Sequence, residues 1–136
     1  MDNWFASAVL ALLIYGFWGF FPKLAVSYIN PQSALVYQVV GGMLVGLLVL
    51  FLVGWRPETH PLGILFALLT GITGVLGTLF YYAAASRGNI SVVVSMTALY
   101  PIITICLAFL FLHEPLTVKQ VIGMIFAIAA IVLFSS

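Results

Sequence analysis

Charge is what this 136-residue chain has least of: four Lys or Arg and three Asp or Glu make up 5% of a sequence that is 65% hydrophobic. With a mean hydropathy of +1.29, a water-soluble globule is excluded, because too little polar surface exists to face solvent. The net charge of +1 supplies no clustered basic face for nucleic acid. A single cysteine, Cys106, lies deep in an apolar run, so neither a disulfide framework nor a thiolate metal site can be assembled. His60 and His113 stand at the ends of apolar runs with no partner motif, and no metal or other cofactor is expected. No nucleophile–base pair is recognisable either, which argues against an enzyme. The N-terminus carries Asp2 where a cleaved signal would be basic, so the first apolar run is expected to remain as a spanning helix. The most consequential absence is internal: Asp2, Glu58 and Glu114 all lie at ends or turns, and no apolar run contains a carboxylate. Membrane-embedded acids are the usual marks of proton relays, so carboxylate-driven proton antiport is disfavoured.

The few charges present are regularly placed. Lys23, Arg56, Arg87 and Lys119 are 33, 31 and 32 residues apart, the length of one membrane crossing plus a short turn. A hydrocarbon core of about 30 Å takes about 20 apolar residues as helix. Five runs are predicted as spans, over roughly 4–21, 33–53, 62–85, 90–112 and 118–134, forming one all-α domain. The punctuation supports these limits. Asn30-Pro31 reads as a cap followed by a first-turn proline. Gly54-Trp55-Arg56-Pro57 and Ser86-Arg87-Gly88-Asn89 read as stops. Thr117 and Gln120 have capping-box spacing. In a chain that crosses five times, Arg56 and Lys119 fall on the side of the N-terminus, and Lys23 and Arg87 on the other. Insertion is oriented by the Lys/Arg excess in short loops, and here the two sides balance.

Within the spans, uncharged polar and small residues carry the information. Gln38, beside Tyr37 in the second span, either lines a cavity or ties two helices together, since a bare amide is costly in hydrocarbon. Thr97, Tyr100, Pro101 and Thr104 follow i, i+3, i+4, i+7 and share one face of the fourth span. That face is a cavity wall or an interhelical hydrogen-bond seam, and Pro101 leaves the carbonyl of Thr97 without its helical donor. Tyr15, Trp18 and Gly19 form a comparable face on the first span. Tyr81 and Tyr82 end the third, where an interfacial aromatic belt is the ordinary explanation. Gly71, Gly74 and Gly77, with Gly42 and Gly46 on the second span and Gly123, Ala127 and Ala130 on the fifth, are close-packing surfaces in membranes. The three glycines of the third span would also soften a hinge. Lys23 lies about 30 Å beyond Trp4, where it either snorkels to the interface or presents a charge to a pathway.

Several of these residues together form a known pattern. Trp18-Gly19 is in the first span, a proline opens the second, and the third ends in Tyr81-Tyr82-Ala83-Ala84-Ala85. Ala98-Leu99-Tyr100-Pro101 follows, then Glu114 thirteen residues after that proline, then Leu116-Thr117-Val118-Lys119-Gln120-Val121-Ile122-Gly123. The chain resembles, over nearly its whole length, the EamA domain of the drug/metabolite transporter superfamily, with Tyr100–Gly123 the most specific stretch. The resemblance implies transport of small metabolites, often amino acids or similar compounds, through a cavity between two five-helix units. Members of the superfamily usually hold two such units, inverted, in one chain, and this chain has one. It also has Gln38 where an arginine commonly stands seven residues after the proline of the second span.

A half-sized unit with balanced loop charges can insert both ways up and pair with an inverted copy of itself, as inverted repeats do around a midplane site. The expected protein is therefore a dual-topology, antiparallel homodimer in the lipid bilayer, at the plasma membrane of a prokaryotic cell. It would transport a neutral or zwitterionic amphipathic solute by alternating access. The expected solute contacts are Tyr15, Trp18, Gln38, Tyr81, Thr97, Tyr100 and Pro101, with Gly71, Gly74, Gly77 and Gly123 as hinge or packing residues. Two rivals share the same sequence: a flippase for lipids or lipid-linked sugars, and a non-transporting membrane subunit of a larger complex. The charge balance makes the first test. Reporter fusions at the C-terminus should be active on both sides of the membrane, and a single uniform orientation would remove the antiparallel arrangement.

Overall fold

The computed structural model describes residues 4–135, all of whose regular structure is helical. The helices are α1 (Trp4–Ala25), α2 (Pro31–Leu52), α3 (Pro61–Arg87), α4 (Ile90–Thr97), α5 (Tyr100–Phe111) and α6 (Val118–Ser135). Four segments are long and apolar enough to cross a membrane: α1, α2, α3, and α4 with α5 taken together. At 18 residues α6 spans about 27 Å, the short end of the range for crossing. Each basic residue lies at or near a helix end, Lys23 in the last turn of α1, Arg87 closing α3, Lys119 opening α6 and Arg56 after α2.

The helix boundaries have local causes. The Asn30 side chain accepts the Ser33 N–H at 2.8 Å, and Pro31 follows it where its missing N–H costs nothing. Asn89 caps α4 in the same way through Ser91. At α6 the capping box closes reciprocally: the Thr117 N–H donates to Gln120 Oε1 at 2.8 Å, and the Gln120 N–H donates to Thr117 Oγ1 at 3.3 Å. α2 ends in a Schellman pair, Gly54 N–H to the Phe51 carbonyl and Trp55 N–H to the Leu50 carbonyl, both 3.0 Å. Gly54 turns there at φ +64°, a conformation a β-carbon disfavours.

Two helices differ from their predicted limits. α1 continues through Pro22 to Ala25, because proline removes only the N–H that would have bonded the Trp18 carbonyl. The predicted fourth span is interrupted at Ala98-Leu99, where bonding tightens to Leu99 N–H with the Met96 carbonyl and Ile102 N–H with the Leu99 carbonyl. Pro101, just inside α5, is the cause, since the preceding turn cannot complete its ladder.

The chain divides into two compact units, residues 1–87 and 88–136. In the first, α3 packs against both α2 and α1; in the second, α4 packs against α6. Packing in the first unit is concentrated at one end. Its buried residues are Pro22, Ala34, Thr78, Tyr81, Tyr82 and Ala85, from the last turns of α1, the first of α2 and the last of α3. The opposite ends of these helices bury nothing. The caps predict measurable losses: Thr117→Ala should destabilise the solubilised protein by about 1 kcal/mol. Gly54→Val should also lower the thermal midpoint, both read by helical circular dichroism on heating.

Candidate functional site

The end of the first unit where burial is concentrated is also where its chemistry gathers. Tyr81 on α3 donates its hydroxyl to the Gly19 carbonyl of α1 at 2.7 Å, and its ring lies against that of Trp18, centroids 5.4 Å apart and planes at 33°. One turn further on, the direction reverses. Lys23 on α1 donates its ammonium to the Ala85 carbonyl of α3 at 2.8 Å. Gly19 and Lys23 are four residues apart on one helix, as are Tyr81 and Ala85 on the other, so each helix supplies one donor and one acceptor on facing stripes.

The acceptors differ in kind. Ala85 lies in the last turn of α3, where carbonyls lack helical donors, so Lys23 acts as a cap supplied by a neighbouring helix. Its charge also opposes the negative end of the α3 dipole. Gly19 is interior to α1, and its carbonyl uses its second lone pair for Tyr81. Sequence reasoning left Lys23 between snorkelling and a pathway; the structure turns it inward onto a backbone carbonyl, and only the contact between α1 and α3 reveals that partner. Tyr81 and Tyr82, read as an aromatic belt, are instead 6% and 5% exposed. Both are packed residues of this end.

The other expected residues fall as follows. Trp18, 38% exposed, meets Tyr81 on one side and stays open on the other. Tyr15, one turn earlier, is 63% exposed. Gln38 on α2 is half-buried, and no hydrogen bond to its side chain is made among the described residues. Thr97, Tyr100 and Pro101 belong to the second unit and are exposed. The Thr97 hydroxyl donates to the Val93 and Val94 carbonyls of its own helix at 2.9 and 3.0 Å. Thr104 does the same with the Tyr100 carbonyl at 3.3 Å. These threonines therefore satisfy themselves locally, as hydroxyls in hydrocarbon do, and among the described residues they donate to no other helix. Gly71, Gly74, Gly77 and Gly123 are open: apart from the adjoining backbone of their own helix, nothing lies within 4 Å of where a β-carbon would stand. α3 runs unbroken through Gly71, Gly74 and Gly77.

The tight end of the first unit predicts its own sensitivity. Ala85 is 0% exposed whereas Ala83, two residues away, is exposed. Ala85→Leu should therefore destabilise by about 1–3 kcal/mol through overpacking, with Ala83→Leu near neutral, compared by thermal melting in one detergent.

Comparison with known proteins extends the geometry. The EamA-like transporter family matches residues 3–136. An uncharacterized protein of Methanocaldococcus jannaschii is 31% identical over 135 residues, covering 99% of this chain and 98% of the relative. The two chains are thus matched over nearly their whole lengths. No solved structure matches.

Proposed function

The chain belongs to the EamA-like transporter family and is a membrane transporter of the drug/metabolite superfamily, and from that premise we propose that it works as an antiparallel homodimer. In this reading two copies insert in opposite orientations in the plasma membrane of a prokaryotic cell. They enclose a path for a neutral or zwitterionic amphipathic solute and expose it to either side in turn. The observation that carries the reading is the distribution of basic residues: four cations, each at or near a helix end, with no side favoured.

A second observation supports it. In the most apolar 18 residues of α1 and of α2 nothing is buried, and in those of α3 and of α4 with α5 the share is 6%. Helices with so little internal packing gain their contacts from lipid and from another protein surface, and small residues allow the closest approach. The open glycines of α3 suit that role. Solute contacts are proposed at Tyr15, Trp18 and Gln38, whose side chains are accessible, at Tyr81 beside Trp18, and at Thr97, Tyr100 and Pro101 of the second unit. With no carboxylate in any span and no nucleotide-binding motif, the solute moves down its own gradient or is coupled through another gradient.

Reconstitution tests this directly. Purified protein in liposomes should release at least one neutral or zwitterionic amino acid or similar solute faster than protein-free vesicles. Two extra lysines in the 54–60 and 113–117 loops, or in the 26–30 and 88–89 loops, should fix orientation. Either biased version alone should lose at least tenfold in flux, and co-expression of the two should restore it. Full flux from one biased version alone would remove the antiparallel dimer. Scrambling of lipid without solute flux would point to a flippase, and flux only with a co-purifying protein would point to a subunit of a larger complex.

A further inference from the structure

We propose that the reciprocal bonds between α1 and α3 form a gate, opened and closed once per transport cycle, with Tyr81 and Lys23 as its two latches and Pro22 as its hinge. The inference rests on the transport reading above and adds a moving part to it. Three observations converge on it. The contact is confined: the buried residues of the first unit lie at this end, and the opposite ends of its helices are open. A path open to one side at a time needs one constriction that closes, and burial is gathered at this end.

The latches can also be undone without unravelling either helix. Tyr81 and Lys23 bond backbone carbonyls across the contact, at 2.7 and 2.8 Å, and neither bond is a rung of an α-helical ladder. Gly19 retains its helical acceptor role when Tyr81 leaves. The Ala85 carbonyl, in the final turn of α3, returns to the state of any uncapped helix end near an interface, where water can reach it.

The hinge is built in beside them. Pro22 is fully buried inside α1, between Gly19 and Lys23, and it deprives the Trp18 carbonyl of its N–H. Missing rungs of this kind are where helices bend. The last turn of α1, carrying Lys23, can therefore swing while residues before Trp18 stay in place. Release of the Tyr81 latch from Gly19 lets its ring leave the face of Trp18 against which it now lies, so opening the gate and exposing a solute contact become one movement.

The test reads distance, not flux. Spin labels are placed at Ser27→Cys and Ser86→Cys, both exposed positions flanking the latch, in a Cys106→Ala background. Labelled protein is diluted with unlabelled copies in lipid so that only pairs within one chain contribute. The parent should show a dominant short distance. Tyr81→Phe, which removes only a hydroxyl, should raise the population of a longer distance about fivefold, the shift that one neutral hydrogen bond corresponds to. Lys23→Met, which keeps the aliphatic stem, should raise it about tenfold or more, because charged donors bond more strongly. Lys23→Arg should restore the parent distribution. Unchanged distances in Tyr81→Phe and Lys23→Met would overturn the gate. If Lys23→Met does not yield folded protein, Tyr81→Phe decides alone. Because no solute is needed, the outcomes separate: flux with unchanged distances sinks the gate and leaves transport standing, whereas distances that respond in a protein moving no solute do the reverse.

Discussion

Tyr81 reaching the Gly19 carbonyl and Lys23 reaching the Ala85 carbonyl are what the first unit depends on for its shape. In water, helices are driven together by the apolar area they hide. In hydrocarbon that drive is missing, since lipid tails are as apolar as any leucine, and association falls to close packing and to polar bonds. Two bonds running in opposite directions one turn apart fix both the rotation and the axial register of α1 against α3. A single bond would have left one of these free. The Trp18–Tyr81 ring contact fills the remaining space on the same facing stripes.

The same scarcity of partners explains how the polar residues of the spans are tolerated. Thr70, Thr73, Thr78, Ser95, Thr97 and Thr104 each donate to a carbonyl of their own helix. Their hydroxyls are polar in composition and locally satisfied in practice. The helix ends obey the same rule, with Asn30, Asn89 and the Thr117–Gln120 pair occupying donors that would otherwise be bare. Gln38 stands apart, because an amide has more donors and acceptors than one neighbouring carbonyl can meet.

Function follows from the arrangement of these satisfied and unsatisfied groups. Burial gathered at one end of the first unit and basic residues placed at or near helix ends are the two features on which the proposed pairing with a second copy is argued. The relative from Methanocaldococcus jannaschii is matched over 98% of its length. Membership of the EamA-like transporter family makes the chain a membrane transporter.

The sequence by itself determined the membrane class, the family, the spacing of the apolar runs and most helix ends, because these depend on neighbours in the chain: Asn30 with Ser33, Thr117 with Gln120, Gly54 with Phe51. It also indicated the weak point of the fourth span, since Pro101 lacks a donor wherever it is placed. What only tertiary structure decided were the partners 62 residues away. A lysine at a helix end is equally compatible with water, lipid phosphate or a carbonyl, and a tyrosine pair at a span end is equally a belt or a packed contact. Those choices are made by which helix lies alongside, and periodicity along one helix carries no information about its neighbour's rotation or height.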